Sequence, residues 1–317
     1  MKCGKELAYV ALVVDDVKSA TAAWQNDFGL VRSDVTTHGG GTVPFLRIGD
    51  SALALFARDD KYLGSVAPTG VHHIALAVDD LDAAITLVAE KRVGLETGTV
   101  EHSLEGRRRI LLSLRETNGL RTYLTERLEQ NKPASGSGFV ERLDHIGVLG
   151  TNNEQALETY CKRLGCQFNG EQTDTEVQIA AEHFVYSHNG VVRTVVHNRP
   201  AEFVAAVHDV FIGIGDTDLE ILQVLDQGLN KGSAADLPGN TKRDHGALAR
   251  FLDTRGPGLH HIALKVRDID DVLDRLHRSH HKLIDRHARP GARCSRIGFI
   301  NPKSMNGVLV HLVEREN

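Results

Sequence analysis

The residues of this chain best suited to chemistry are its histidines. There are 17 in 317 residues, and five stand inside a recurring phrase. Its copies read Val71-His-His-Ile-Ala-Leu-Ala-Val, Leu143-Asp-His-Ile-Gly-Val-Leu-Gly and Leu259-His-His-Ile-Ala-Leu-Lys-Val, with a histidine-free copy at Leu7-Ala-Tyr-Val-Ala-Leu-Val-Val. Imidazole binds borderline divalent metals and carries protons near neutral pH. A single strand histidine is more often a satisfied core residue, so the spacing has to carry the argument. His73 to Tyr123 and His261 to His311 both span 50 residues, and the two copies are offset by 188 at both ends. Gly49-Asp-Ser-Ala-Leu-Ala54 likewise answers Gly215-Asp-Thr-Asp-Leu-Glu220. There the spacing is 45 from Tyr9 to Ala54 but 75 from His145 to Glu220, so the third copy carries an insertion of about 30 residues.

The elements that position these residues repeat with them. Each phrase is short, apolar and β-branched, as a buried strand should be. After each comes an Asp- or Asn-led segment of helical spacing, at Asp16, Asp80, Asn153 and Asp268, whose leading side chain can cap the first turn. Further strand-like runs separated by turns follow. The unit is a strand, a helix and about three strands, present four times, and a duplication of a paired unit explains it. The run Gln130-Asn-Lys-Pro-Ala-Ser-Gly-Ser-Gly138 reads as a linker. The expected division is an N-terminal domain over 1–128, a linker over 129–140 and a C-terminal domain over 141–317.

Composition excludes several classes. With 37 Lys+Arg against 42 Asp+Glu, the formal net charge is −5, and the basic footprint of a nucleic-acid or anionic-membrane partner is missing. No segment approaches the roughly 20 apolar residues needed to cross a bilayer. The apolar run Leu7 to Val14 stops at Asp15-Asp16 with no cleavage pattern behind it, and reads as a strand rather than a signal peptide. Cys3, Cys161, Cys166 and Cys294 form neither a CxxC pair nor a disulfide framework, so a reduced, cytoplasmic protein is expected.

The four repeated units resemble the vicinal oxygen chelate superfamily, which contains glyoxalase I, methylmalonyl-CoA epimerase and the extradiol dioxygenases. The stretches Phe251-Leu-Asp-Thr-Arg-Gly-Pro-Gly-Leu-His-His-Ile-Ala-Leu and Pro302-Lys-Ser-Met-Asn-Gly-Val-Leu-Val-His-Leu are similar to methylmalonyl-CoA epimerase. The two-domain 2-epi-5-epi-valiolone epimerases are similar in length and chemistry. The resemblance implies an α+β fold of four βαβββ modules, paired into two domains with cupped mixed sheets. It also implies metal ligands on the first and last strands of each module. Carried onto this chain, those positions are His145, Glu220, His261 and His311 in the C-terminal half. The N-terminal counterparts are Tyr9, Ala54, His73 and Tyr123, of which only His73 is a credible ligand. One divalent metal per chain is therefore implied, in the C-terminal domain alone.

Three imidazoles and a carboxylate suit Zn, Ni, Co, Mn or Fe. Four protein ligands in an octahedral shell leave two places for neighbouring substrate oxygens, an arrangement that stabilises an enolate while a proton leaves the adjacent carbon. That is epimerase or isomerase chemistry on a small molecule such as a cyclitol ketone or an acyl-CoA. An Fe(II) dioxygenase of the extradiol or 2-oxo-acid type is the alternative, although it needs a third open place and takes its carboxylate from the last strand, where this chain has His311. A non-catalytic small-molecule-binding protein is the third class, and the intact tetrad argues against it. Because His311 replaces the last-strand glutamate of glyoxalase and methylmalonyl-CoA epimerase, the acid–base group is sought in the enlarged third unit. Glu182, His183 and His197 are the candidates, with His183 on the strand face of Val177, Ile179 and Val185. The basic run His277 to Arg293 and Lys303 read as a solvated face that can also meet an anionic substrate. Modules can pair within or between chains, so a homodimer is compatible with this reading.

Overall fold

A computed structural model of the chain describes residues 6–129, 138–179, 181–198, 200–225 and 241–315. Residues 130–137, most of the expected linker, lie outside them.

The N-terminal half contains β1 (Leu7–Val14), α1 (Val17–Asn26), β2 (Val31–Thr36), β3 (Thr42–Ile48), β4 (Ser51–Ala57), β5 (Gly70–Val78), α2 (Leu81–Glu90), β6 (Glu101–His102), β7 (Arg108–Leu111) and β8 (Thr122–Glu126). The C-terminal half begins with β9 (Val140–Gly150) and α3 (Asn153–Ala156), which runs on as a π-helix over Leu157–Arg163. It continues with β10 (Gln167–Gln178), β11 (Ala181–His188), β12 (Val191–Asn198), β13 (Glu202–Ile214), β14 (Thr217–Val224) and α4 (Thr241–Arg255). The last elements are β15 (Gly258–Val266), α5 (Ile269–Arg278), β16 (Arg289–Gly291), β17 (Ser295–Ile300) and β18 (Val310–Glu314).

Two eight-stranded mixed sheets result, in the orders β2-β3-β4-β1-β5-β8-β7-β6 and β10-β13-β14-β9-β15-β18-β17-β16. Each holds two βαβββ modules joined at their first strands, β1 on β5 and β9 on β15, both antiparallel. The fold is α+β, with the four modules paired inside the chain. β11 and β12 stand apart as a two-stranded ribbon.

The capping residues set the strand-to-helix corners. Asp16, Asp80 and Asp268 each accept the backbone N–H three residues on. In the third module the cap is Asn152, which accepts from Gln155 N at 2.9 Å. Asn153, expected there from its place before the acidic turn, is instead buried and donates to His208 O at 2.9 Å.

The helices α1, α2, α3 and α5 lie against one face of the sheets and share a continuous apolar core that includes Trp24, Phe28, Leu81, Tyr160 and Leu273. The halves are also joined by polar contacts, such as Tyr160 Oη with Thr122 Oγ1 at 2.7 Å and Asp27 with His281 at 3.0 Å. The other face of each sheet curves into a cup. Its floor positions are set by β-bulges: His72 has no partner on β1, and His260 none on β9. The first histidine of each His-His pair is thus the extra residue of a bulge, and the second takes its cup-facing place from the regular alternation with the strand that follows.

Side chains cover the floor of the N-terminal cup, beneath a cavity of about 740 Å³ lined by Tyr62, Arg109 and Tyr123. Tyr9 and Tyr62 share a hydrogen bond of 2.7 Å. The buried Arg109 guanidinium lies 4.0 Å from the Tyr62 ring and 4.2 Å from the Tyr123 ring. It also pairs with Glu101 at 3.0 Å. A desolvated cation between two aromatic faces is favourable, and this one stands where the C-terminal cup has its cluster of donors.

Candidate metal centre

The ladder brings four distant residues to one floor. His145 on β9 faces Ala263 of β15, and His311 on β18 flanks the same alanine from the other side. His261 on β15 faces Gly147 of β9, while Glu220 on β14 flanks that glycine. Strand alternation then points all four side chains into the cup. Small residues between them leave room: a Cβ on Gly147 would lie 2.0 Å from the His261 ring. The N-terminal sheet repeats the register with Tyr9, Ala54, His73 and Tyr123.

The donor atoms converge. His145 Nε2 is 3.3 Å from His261 Nε2 and 3.2 Å from His311 Nδ1. Glu220 Oε2 reaches His145 Nε2 at 3.1 Å and His261 Nε2 at 3.7 Å. One ring nitrogen from each of the three histidines lies within 4.8 Å of the others, the spacing of a group that can hold a metal ion. All four residues are buried.

Charge is arranged around this cluster. Burial pushes His261 and His311 well below the usual imidazole range, which leaves them neutral with lone pairs to offer. Burial works the same way on His145, but Glu220 and Asp144 outweigh it and hold this histidine up at about 9. Glu220 is correspondingly held down to about 2, since His145 outweighs the burial penalty on its carboxylate. Asp144 has no partner on β15, and its Oδ2 accepts from His145 Nδ1 at 2.9 Å. Arg315 donates to the same oxygen at 2.6 Å. This fixes the His145 ring so that Nε2 faces the cluster, as a carboxylate partner of a metal-binding histidine does. His311 stacks on Phe299, with ring centroids 4.2 Å apart and planes 10° from parallel, and its Nε2 has no hydrogen-bond partner.

Above the floor lies a cavity of about 760 Å³, walled by β10, β13, α4 and the segment Arg289–Ala292. Leu248 of α4 packs on Leu149 and Val207, closing one side. Asp209 of β13 also lines this cavity, and its Oδ1 is buried without a partner. Burial, and then the neighbouring Glu220, push its carboxyl well above the ordinary range. Sequence reasoning missed Asp209. The signal was a lone acid within the apolar run Phe203–Ile214.

Glu182, His183 and His197 are not brought to the site. They stand on the β11–β12 ribbon, all exposed, and none lines the cavity. Glu182 and His197 face each other across the ribbon at 3.6 Å. The expectation for His183 assumed a strand inside the main sheet, where alternation leads to core or cavity. In the ribbon both faces meet solvent. The basic run is largely neutralised: Arg286 pairs with Asp274 at 2.7 Å, Arg289 with Asp244 at 3.1 Å and Arg293 with Asp218 at 2.8 Å. Arg289 nevertheless lines the cavity, whereas Lys303 is exposed.

Residues 6–122 match the family model of the Glyoxalase/Bleomycin resistance protein/Dioxygenase superfamily. An uncharacterized protein of Bacillus subtilis (strain 168), YqjC, is 30% identical over 175 residues, covering 55% of this chain and 93% of that protein. The chain belongs to this superfamily. Within the superfamily, the mitochondrial methylmalonyl-CoA epimerase of Dictyostelium discoideum is 32% identical over 110 residues, 34% of this chain and 56% of that protein. Solved structures of like fold cover the whole chain. A mutant of 4-hydroxymandelate synthase from Streptomyces coelicolor superposes on 100% of it and 94% of its own length, with a TM-score of 0.61 at 15% identity. The 2,3-dioxygenase LapB from Pseudomonas sp. KL28 gives the same coverage with a TM-score of 0.54 at 13% identity.

Proposed function

We propose that this protein is a divalent-metal-dependent epimerase or isomerase, with His145, Glu220, His261 and His311 as the metal ligands. The observation that carries this reading is the convergence of three imidazole nitrogens and one carboxylate oxygen on the floor of a cavity. The donor set fits a metal: two histidines are neutral, the third is anchored through Asp144, and Gly147 leaves the rings room. A bound cation supplies Lewis acidity, which stabilises an enolate formed beside a carbonyl.

The chain's own groups do the rest. Asp209 is assigned the proton transfer in place of Glu182, His183 and His197, because it lies in the cavity with an uncommitted oxygen. Its position is diagonal to Glu220 across β13 and β14, roughly 7–8 Å away. A carboxyl whose affinity for its proton is raised by burial is suited to exchanging that proton near neutral pH. Leu248 and Phe299 keep water from the reacting carbon. Arg289 and Arg315 line the cavity beside the cluster, where they can orient an anionic or carbonyl oxygen. The cavity volume suits a small ketone, such as a cyclitol, or the acyl end of a thioester. The relatives named methylmalonyl-CoA epimerase favour the thioester.

Elemental analysis of untagged protein purified without chelators tests this. About one equivalent of Zn, Ni, Co or Mn is expected, lost in His261→Ala and His311→Ala. Solvent deuterium should then exchange into methylmalonyl-CoA or a cyclitol ketone, and Asp209→Asn should remove exchange while keeping the metal. Iron with substrate-dependent oxygen uptake would establish the dioxygenase instead. A metal-free protein that resists reconstitution would overturn both enzyme readings and leave a binding protein.

A further inference from the structure

We propose that the first histidine of each His-His pair sets the tautomer of the second, and that one register position, Arg121 or Leu309, gives the two pairs opposite polarity. His260 is then the positioning residue that lets His261 turn a lone pair toward the cup. His72 instead leaves His73 with an N–H there. A neutral imidazole has one N–H and one lone pair, so the partner at one nitrogen decides what the other offers.

The rings meet through the same atoms in both halves. His72 Nδ1 lies 2.7 Å from His73 Nδ1, and His260 Nδ1 lies 3.1 Å from His261 Nδ1. In each contact one nitrogen must donate and the other accept. In the N-terminal half the direction is dictated from outside. Arg121 Nη1 stands 2.7 Å from His72 Nε2, and a guanidinium can only donate. His72 is uncharged near neutral pH, because burial, and then Arg121, lower it to about 3. Its Nε2 therefore accepts, its one proton stands on Nδ1, and His73 Nδ1 accepts that hydrogen bond. The proton of His73, which is likewise uncharged, is left on Nε2, 3.4 Å from Tyr9 Oη. A nitrogen that carries this proton has no lone pair for a cation.

Leu309 occupies the register position of Arg121. The backbone oxygen of each accepts from the isoleucine that follows the His-His pair, Arg121 O from Ile74 N at 3.0 Å and Leu309 O from Ile262 N at 3.2 Å. Leu309 and His260 both line the cavity above the cluster. An apolar side chain at this position puts no donor on His260 Nε2. His260, whose ring packs edge-on against Phe251 with centroids 4.8 Å apart, can then keep its proton on Nε2 and accept from His261 Nδ1–H. His261 Nε2, 3.3 Å from His145 Nε2, is left as a lone pair among the donors. His260 thus does for His261 what Asp144 does for His145. The same dipeptide offers a ligand in one half and withholds it in the other, through one side chain on the adjacent strand.

Zinc affinity and ring NMR test this on the full-length chain; the zinc measurements rest on the metal centre proposed above, and the tautomers do not. Nitrogen-15 NMR of the metal-free protein reads the tautomers directly. His73 is expected with its proton on Nε2, and Leu309→Arg should put the proton of His261 on Nε2 as well. The same substitution should weaken zinc binding about 10–100-fold, the usual loss when the partner behind a metal-binding histidine is changed. A new cation would also weaken zinc binding by charge alone. His260→Asn in the Leu309→Arg background keeps that charge but supplies an amide oxygen where Nδ1 stood, and should restore the affinity. His260→Phe, which keeps a ring against Phe251 but accepts no hydrogen bond, should weaken zinc binding as Leu309→Arg does. His72→Phe should leave it unchanged. His73 with its proton on Nδ1, an unchanged zinc affinity in Leu309→Arg, or a double variant as weak as the single one, would each overturn the proposal. A wild-type chain that binds no zinc would remove the metal centre, while the tautomers of His73 and of His261 in Leu309→Arg would still decide the polarity.

Discussion

Single residues decide what the cluster can do, and they divide into donors and the groups that hold them. Asp144 is the clearest of the second kind, since its Oδ2 accepts from both His145 Nδ1 and Arg315. Asp144→Asn should lower metal affinity by about 10–100-fold, the usual effect of losing a carboxylate behind a metal-binding histidine. Titration with Zn²⁺ against a competing chelator measures this, and an unchanged affinity would remove Asp144 from the site. At this scale the sequence is informative where register repeats and silent where it does not. His261 and His311 can be placed because the 50-residue spans and the 188-residue offset fix their strand positions, and His145 and Glu220 because their phrases repeat those at Tyr9 and Ala54. Asp209 has no counterpart in that repeat, and its role depends on which strand lies next to β14. That is a fact of topology: a lone acid in an apolar run marks Asp209 as unusual, and its spacing does not say which site it faces.

The elements show the same division. Strand–helix units are legible because apolar runs, acidic caps and turns recur four times. Their ends are less so. Asn152 rather than Asn153 caps α3, since both can accept the hydrogen bond and only the burial of Asn153 against β13 separates them. Asn152→Ala should cost about 1 kcal/mol of stability, whereas Asn153→Ala should cost more, because it also leaves His208 O without its buried donor. Urea unfolding of the two variants checks the order. The ribbon escapes sequence reasoning for a physical reason. Apolar residues at alternate positions suggest a strand of the main sheet, and the sequence does not say that β11 and β12 pair with each other instead.

Across the molecule, both cups bury histidines whose affinity for protons is lowered, and acid should reveal it. In the N-terminal half, burial together with Arg121 and Arg109 lowers His72 from 6.5 to about 3, and His73 lies well below its usual value. Both are bases whose folded affinity for protons is depressed. The unfolded chain therefore binds protons first, and stability falls as pH drops below about 6.5, continuing toward pH 3. For His72 this amounts to about 2 kcal/mol at pH 5. His72→Gln should flatten the loss of unfolding free energy between pH 7 and pH 5. An equally steep loss in this variant would show that His72 is already protonated in the fold.

The bulges at His72 and His260 have a mechanical consequence. In a pleated ladder, a slip of one residue exchanges the two faces of a strand. The chemistry of the C-terminal cup is thus gauged by a count of residues, as teeth set the phase of a gear. Removing Ile262 would take away no proposed ligand, yet with Ala263 held between His145 and His311 it would turn His261 away from the cup, whereas removing His260, the extra residue of the bulge, would leave the ladder unbroken. Insertions and deletions within the regular ladder beyond the bulges are therefore the changes this architecture tolerates least, and the loops between modules, where the third unit has already grown, are where length can vary without losing phase.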